Sequence, residues 1–335
     1  MKAIVSSQPF ELKEGNLFKE IETERPQLAQ GEVLVKVHAT GVNPVDTKMR
    51  MTPLNDTFRV LGFDAAGEII ECGANVSDFH VGDRVYYAGS NQRQGSNQTH
   101  QAIPTDYIAR MPDHISYEDA AAIPLTAITA YEMLFDVFGI SKNPENNTGK
   151  TLLIINGAGG VGSIATQIAK AYGLTVVTTV GREETKTWSI QQGSDDVLNH
   201  KNSLVDEWAK TERPAPDYIF CTYDTDVYFE PMIELVQPRG HIATIVAFKE
   251  KQDLNLLKHK SITFTHEFMF ARAIHQKQVK KYQVYLIDVA DKLEKGQYTS
   301  TRTKTLEGLS VETVYEAHEE MENQQFIGKL VIKLA

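Results

Sequence analysis

The amino-acid sequence predicts an α/β protein that combines a doubly wound parallel sheet with a second domain built as a partly closed β-barrel. Between residues 151 and 266, six short apolar strand patterns alternate with helical patterns, which is the order that a parallel sheet with helical crossovers requires. Before about residue 120, strand patterns follow one another through turns instead of helices. The length of 335 residues is typical of two domains rather than one.

The predicted sheet begins with a continuous apolar strand at residues 151–156, as expected for a strand that is buried on both faces. A helix is predicted at 163–172, because Ile164, Ile168 and Tyr172 recur at four-residue spacing and Gly173 can cap the C-terminus. The other strands predicted for this sheet are 175–180, 196–198, 218–221, 241–247 and 261–266.

The predicted barrel draws on the first part of the chain and on its tail. The segment 89–99 is rich in glycine, serine, asparagine and glutamine, and is predicted to be an exposed loop. A charged helix is predicted at 276–295, and the strand-like tail at 328–333 is expected to return to the barrel. The clearest strand patterns of the barrel are 33–39, 67–71 and 85–87.

Composition and charge exclude several classes of function. The net charge of −10, from 34 Lys and Arg against 44 Asp and Glu, argues against a nucleic-acid partner because the phosphate backbone attracts basic surfaces. Two cysteines are too few for a disulfide framework or a four-cysteine zinc site. No stretch approaches the roughly 18 apolar residues that span a membrane, and the N-terminus lacks the pattern of a signal peptide. The expectation is a cytoplasmic protein with no membrane partner.

A glycine-rich turn carries the first functional prediction. The sequence Gly157-Ala158-Gly159-Gly160-Val161-Gly162 fits the GxGxxG pattern, with an apolar strand directly before it and a helix directly after it. In a Rossmann domain the first glycine permits the tight turn, the second lets the backbone approach a pyrophosphate, and the third lets the helix pack on the strand. The anion then binds at the helix N-terminus. We predict a dinucleotide site; the alternative is an ordinary glycine turn.

The end of the second strand indicates which dinucleotide is bound. NAD sites usually have Asp or Glu there to bind the ribose 2′-hydroxyl, but this strand is followed by Gly181 and Arg182, with Lys186 four residues on. A guanidinium can bind a 2′-phosphate through two charge-assisted hydrogen bonds. Glu183 and Glu184 are expected to open the next helix. We predict NADPH rather than NADH as the cofactor; the alternative reading makes Arg182 an ordinary surface cation.

Several motifs in chain order resemble the medium-chain dehydrogenases/reductases, and most closely their quinone oxidoreductase branch, which includes proteins described as zinc-type alcohol dehydrogenase-like. The resemblance implies a GroES-like catalytic domain made from both chain ends, expected at 1–123 and 272–335, and a Rossmann domain at 124–271. It also implies a homodimer. Besides the glycine turn, the matching motifs are Gly41-Val42-Asn43-Pro44-Val45-Asp46, Leu61-Gly62-Phe63-Asp64-Ala65-Ala66-Gly67-Glu68, Val81-Gly82-Asp83-Arg84-Val85, Ile123-Pro124-Leu125-Thr126-Ala127 and Gly328-Lys329-Leu330-Val331.

The zinc ligands of this family are missing from the sequence. Zinc-dependent relatives have a cysteine at the position of Asn43, a His-Glu pair near Phe63-Asp64, and a loop with four closely spaced cysteines. A catalytic zinc needs three good protein ligands and one open position. We therefore expect no bound metal.

Without a metal, the resemblance implies hydride transfer from NADPH to an activated acceptor, namely a quinone or an α,β-unsaturated carbonyl such as a 2-alkenal or enone. Such an acceptor delocalises the incoming charge onto oxygen, so the protein has to position the nicotinamide and polarise that oxygen. Two alternatives remain open: a zinc-dependent alcohol dehydrogenase, and an NADPH-binding sensor or structural protein without enzymatic activity.

The resemblance also supplies candidate site residues. Asn43, Asp46 and Arg50 are the catalytic candidates, and Asn43 is expected near the nicotinamide ribose and the substrate. Asn43 could instead form a turn and Asp46 could cap a helix. The tyrosine that many quinone reductases have shortly after this motif is absent, so water is the expected proton source. The residues expected to bind the cofactor are Asn43, Thr126, Gly157, Gly159, Gly160, Val161, Gly162, Gly181, Arg182, Lys186, Val246, Phe268 and Phe270.

Overall fold

The computed structural model describes residues 1–323 and 326–334, and the chain divides into two compact units. One unit comprises Met1–Ile128 together with Phe270–Ala335, and the other comprises Thr129–Met269. We refer to them as the barrel unit and the sheet unit. In the described part of the chain, no helix has the length and apolar composition needed to cross a membrane.

The β-strands are β1 (Lys2–Ser6), β2 (Phe18–Glu22), β3 (Glu32–Val42), β4 (Arg59–Val60), β5 (Asp64–Cys72), β6 (Arg84–Ala88), β7 (His100–Pro104), β8 (Ile108–Arg110), β9 (Thr151–Ile155), β10 (Thr175–Val180), β11 (Asp196–Asn199), β12 (Tyr218–Cys221), β13 (His241–Thr244), β14 (Thr263–His266), β15 (Arg302–Glu307) and β16 (Lys329–Lys333).

The α-helices are α1 (Pro44–Arg50), α2 (Tyr117–Ala121), α3 (Pro124–Tyr131), α4 (Gly160–Ala171), α5 (Glu183–Gln191), α6 (Leu204–Ala209), α7 (Thr225–Leu235), α8 (Ala271–Ile274), α9 (Lys281–Glu294) and α10 (Val311–Glu322). Short 3₁₀ turns lie at Leu12–Glu14, Thr105–Tyr107, Pro144–Asn147 and Leu254–Leu257, and a π-helical turn at Glu132–Val137 continues α3.

The sheet unit contains a six-stranded sheet in the order β11-β10-β9-β12-β13-β14, and each pair of neighbours is parallel. The central strand β9 is buried because helices cover both faces of such a sheet, which explains its unbroken apolar sequence. Its side chains Leu153 and Ile155 join a core with Ile219, Phe229 and Met232. The predicted doubly wound sheet is confirmed.

The barrel unit contains a seven-stranded sheet in the order β15-β16-β3-β5-β6-β8, with β7 also paired to β3, and a three-stranded sheet in the order β2-β1-β4. The long strand β3 pairs with β16 from the chain tail, in antiparallel register from Leu330 opposite Val42 to Lys333 opposite Ala39. The tail therefore returns to the first part of the chain, as expected from its apolar strand pattern.

Two local predictions were wrong in extent. The segment 89–99 is a loop, but Gly95, Ser96 and Asn97 are buried, because their N–H groups donate to the carbonyls of Val60, Gly62 and Leu61. The charged helix starts at Lys281 instead of residue 276, since two glutamines before it, at positions 276 and 278, have φ values of 48° and 56° that no right-handed helix contains.

Candidate cofactor and catalytic sites

The glycine turn joins β9 to α4 and is fixed to the neighbouring strand β10. The N–H of Asn156 donates to Thr179 Oγ1 at 3.0 Å, and the N–H of Gly157 donates to the Thr179 carbonyl at 3.0 Å. A Cβ atom at Gly157 would lie 2.4 Å from Thr178 Cβ. Glycine is therefore required at position 157 by its packing on β10.

The other two glycines of the pattern have different surroundings. A Cβ at Gly162 would lie 2.4 Å from the Asn156 carbonyl oxygen, whereas the nearest atom to a Cβ at Gly159 is the side-chain amide nitrogen of Asn156 at 3.0 Å. The helical hydrogen bonds begin with the N–H of Ser163, which donates to the Gly159 carbonyl. The N–H groups of Gly160, Val161 and Gly162 precede this bond, so they are the natural donors to a pyrophosphate.

Two cationic side chains follow β10, and beside them lies His200, a residue that the sequence did not single out. Arg182, the N-cap of α5, and Lys186 in its first turn are exposed, with Glu183 and Glu184 between them. A Cβ at Gly181 would lie 2.5 Å from His200 Nε2, so the imidazole fills the space in which an acidic side chain would stand. His200 directly follows β11, the strand beside β10, and this position was the available signal because parallel strands end at one edge. Glu183 begins α5, as expected.

Other residues predicted to bind the cofactor follow strands β13 and β14 or lie in α3. Val246 follows β13 and its carbonyl accepts from Thr225 Oγ1 at 2.7 Å, while the ring of Phe268, beyond β14, is half-exposed. Both follow strands of the same parallel sheet, at the edge where the glycine turn lies. Thr126 is buried in α3 and donates to the Ile123 carbonyl at 3.0 Å.

Two of the candidates in the barrel unit have aromatic or capping partners. The ring of Phe270 is buried against Phe63, with 4.8 Å between centroids. Asp46 lies in the first turn of α1, where its carboxylate accepts the N–H of Asn43 at 2.8 Å and the N–H of Gly62 at 2.9 Å. Burial raises the pKa of Asp46 to about 7. These bonds support the capping interpretation of Asp46, and its catalytic role stays a prediction.

Asn43 belongs to a buried cluster of polar side chains. Its amide nitrogen donates to Asp64 Oδ2 at 2.9 Å, and its amide oxygen accepts from Lys329 Nζ at 2.5 Å. Lys329 Nζ also donates to Asp64 Oδ2 at 2.9 Å, and Asp64 Oδ1 accepts the N–H of Leu125 at 2.6 Å. All three side chains of the cluster are at most 3% exposed. The sequence reasoning did not assign a role to Lys329, although a lysine beside an apolar strand pattern was a signal.

Arg50, the third catalytic candidate, is buried in the packing between α1 and α10. Its guanidinium donates to the Phe10 carbonyl at 3.0 Å, to His318 Nδ1 at 3.1 Å and to the Glu322 carboxylate at 2.5 Å. Burial and the neighbouring arginine lower the pKa of His318 to about 3. These contacts favour a structural role for Arg50, and its catalytic role remains a prediction.

The residues of the barrel unit do not fit a catalytic zinc. Within residues 1–323 and 326–334, no group of three or more His, Cys, Asp or Glu side chains is placed to hold a metal ion. Zinc requires thiolate, imidazole or carboxylate ligands with a free lone pair. Here Asn43 offers an amide, Phe63 offers a ring, and the oxygens of Asp64 already accept hydrogen bonds from Lys329, Asn43 and Leu125.

Comparison with known proteins now identifies the family. Residues 29–113 match the alcohol dehydrogenase GroES-like domain, and residues 160–283 match the zinc-binding dehydrogenase family. The chain is 55% identical, over the full length of both proteins, to a zinc-type alcohol dehydrogenase-like protein of Staphylococcus epidermidis. The chain belongs to the medium-chain dehydrogenase/reductase superfamily, and it is an oxidoreductase of that class.

Solved structures agree with this assignment. A protein of Rhizobium etli described as a putative zinc-dependent alcohol dehydrogenase superposes with a TM-score of 0.94 and 35% identity, covering 99% of this chain and 98% of that one. A quinone oxidoreductase of Escherichia coli in complex with NADPH has a TM-score of 0.84 at 23% identity, over 99% of this chain and 100% of that one. At 23% identity, the similarity to the Escherichia coli protein shows a shared fold and no more.

Proposed function

We propose that this protein reduces quinones or α,β-unsaturated carbonyl compounds with NADPH and without a metal ion. The observation that carries the choice of cofactor is the end of β10. Arg182 and Lys186 are exposed there, and the ring of His200 occupies the space in which the acidic residue of an NAD site would stand. An arginine and a lysine at this place, without an acidic residue at position 181, favour the dianionic 2′-phosphate over a ribose hydroxyl.

The barrel unit supports the choice of acceptor. Oxidation of an unactivated alcohol needs a metal or a strong base to remove its proton. The oxygens of Asp46 both accept main-chain N–H groups, and those of Asp64 are used by Lys329, Asn43 and Leu125. NADPH, when bound, supplies the hydride. For a conjugated acceptor, the protein then needs only to orient the molecule and to stabilise the charge that develops on its oxygen. An amide such as that of Asn43 can stabilise this charge.

The test measures the consumption of NADPH with each member of a panel of acceptors. We expect turnover with quinones and with 2-alkenals or enones, little with the matching saturated aldehydes, and none for oxidation of simple alcohols with NADP⁺. Metal analysis of the freshly purified protein belongs to the same experiment, and we expect no stoichiometric zinc and no loss of activity to chelators.

Two outcomes would replace this proposal with an alternative. Stoichiometric zinc, together with chelator-sensitive alcohol oxidation, would identify a zinc alcohol dehydrogenase. Tight NADPH binding with no turnover across the panel would identify a binding protein. A cytoplasmic homodimer acting on small molecules belongs to the same proposal through the family resemblance, and light scattering of the purified protein measures the dimer.

A further inference from the structure

Lys329 is a buried cation in the barrel unit. It is the first residue of β16 and is 3% exposed, and the next three residues of the strand are fully buried apolar side chains. Removing an ammonium group from water is costly unless it is paired and hydrogen-bonded. A methionine of similar length would avoid that cost. The presence of a lysine here therefore requires an explanation beyond the filling of space.

The partners of Lys329 determine which way the Asn43 amide points. An ammonium group only donates hydrogen bonds, so the amide oxygen of Asn43 must face Lys329 Nζ, at 2.5 Å. An ionised carboxylate only accepts, so the amide nitrogen must face Asp64 Oδ2, at 2.9 Å. A flipped amide would place donor against donor and acceptor against acceptor. The ion pair of Lys329 with Asp64 therefore allows only one orientation of Asn43.

The two groups that hold Asn43 also occupy the place where metal chemistry would be expected. In the zinc-dependent relatives that this sequence resembles, a cysteine stands at the position of Asn43 and a His-Glu pair lies near Phe63-Asp64. In this chain Asn43 and Asp64 are hydrogen-bonded to one ammonium group instead. A unit positive charge thus stands among the residues that replace the ligands, and the oxygens of Asp64 are already used.

We propose that Lys329 is a positioning residue of the barrel unit. Its ammonium group, paired with Asp64, takes the place of the metal cation. It also fixes the orientation of Asn43, so that the amide nitrogen donates a hydrogen bond to the carbonyl oxygen of the substrate. One N–H of that nitrogen binds Asp64, and the second is not used by any hydrogen bond of the described residues. This inference rests on the proposed function, because it explains how the barrel unit stabilises charge without zinc.

This arrangement serves the reduction of an enone to a saturated carbonyl compound. NADPH, when bound, would supply the hydride that forms a C–H bond at the β-carbon of the enone, and the π electrons would move to the carbonyl oxygen to give an enolate. The second N–H of Asn43 donates to that oxygen as its charge increases. A proton from solvent then adds to the α-carbon, which gives the saturated carbonyl compound and NADP⁺. A donor that is already oriented costs no reorganisation during the step.

Replacing both Lys329 and Asp64 by uncharged residues separates the effect on the orientation of Asn43 from the effect on the stability of the fold. Lys329→Met alone leaves Asp64 buried without its cation, so a loss of activity could reflect a damaged fold. The double variant Asp64→Asn/Lys329→Met removes both charges together. The new amide at position 64 can still accept from Leu125, and its nitrogen can donate to the Asn43 oxygen. Asn43 then remains hydrogen-bonded, but in the reversed orientation.

We expect the double variant to unfold near the wild-type temperature. Its kcat should fall about 100-fold, the size of effect seen when one oriented donor is lost. Lys329→Arg should retain more activity than the double variant because it keeps the charge. The control is Lys333→Met on the same strand, since Lys333 pairs with Glu118 at the surface and should affect neither quantity. Side-chain amide NMR of Asn43 reports its orientation independently of turnover.

Wild-type kcat in a stable double variant would overturn the inference and leave the proposed function intact. An inert wild-type protein would instead defeat the proposed function, so the two failures are distinguishable. If the double variant does not fold, Lys329→Ala with added ethylammonium chloride gives the same answer. Return of both stability and kcat supports positioning by the cation, and return of stability alone contradicts it.

Discussion

Replacing single glycines of the turn by alanine should separate cofactor binding from fold stability. At Gly159 an added Cβ has no main-chain neighbour closer than the flexible amide of Asn156 at 3.0 Å, and the backbone φ of −71° suits any residue. The folded protein should therefore lose less than about 1 kcal/mol, the difference between glycine and alanine at a helix N-cap. In the proposed mode of binding, however, the methyl group would stand where the backbone approaches a pyrophosphate.

Gly162→Ala should behave in the opposite way. Its Cβ would lie 2.4 Å from the Asn156 carbonyl oxygen and 2.8 Å from Gly157 Cα, and neither atom can rotate away. Overpacking of this kind costs about 3 kcal/mol at the upper end of its range, and the higher helix propensity of alanine returns about 1 kcal/mol. The net expectation is a free energy of unfolding lower by about 2 kcal/mol.

The assay is urea unfolding without ligand, combined with titration of NADPH by calorimetry. For Gly159→Ala we expect near-wild-type stability and a Kd raised by about 10- to 100-fold, or about 1.4 to 2.8 kcal/mol. Gly89→Ala in the barrel unit is the matched control, because its nearest neighbour would be 3.5 Å away. Wild-type affinity in Gly159→Ala, or unchanged stability in Gly162→Ala, would refute the assignment of separate roles to these glycines.

Three further predictions concern cofactor choice and acid stability. Arg182→Ala should raise the Kd for NADPH by about 10- to 100-fold with little change for NADH, since a charge-assisted bond contributes about 1.5–3 kcal/mol; equal losses would show that Arg182 does not bind the 2′-phosphate. Gly181→Asp alone should bind NADH poorly because the new side chain meets His200, and adding His200→Ala should improve NADH binding in the same titration. The pKa of His318 falls to about 3 on folding, so the folded form binds fewer protons than the unfolded chain between about pH 6.5 and 3. The free energy of unfolding should therefore decrease as pH falls through that window, by up to about 5 kcal/mol. His318→Gln should flatten this decrease, as measured by urea midpoints.

Much of the sheet unit could be predicted from sequence because its determinants are local. Strands β10 and β12 have the predicted bounds, and β9 ends one residue before the predicted end, since apolar runs between helical patterns identify buried parallel strands. The strand β13 ends at Thr244, three residues earlier than predicted, because the apolar pattern continues into a turn that the neighbouring strand does not pair with. Pattern indicates burial, and pairing decides where a strand ends.

The glycine turn was also readable from sequence, because its three glycines, its strand and its helix are consecutive. The cluster around Asn43 was not. Lys329 and Asp64 are separated by 265 positions, and each is unremarkable within its own strand pattern. The antiparallel pairings of β3 with β16 and with β5 bring them together. His200 reaches Gly181 in the same way, through the pairing of β10 with β11. The sequence by itself determined the sheet and the glycine turn, whereas strand pairing decided which side chains surround Asn43, because hydrogen bonds between distant strands leave no local pattern.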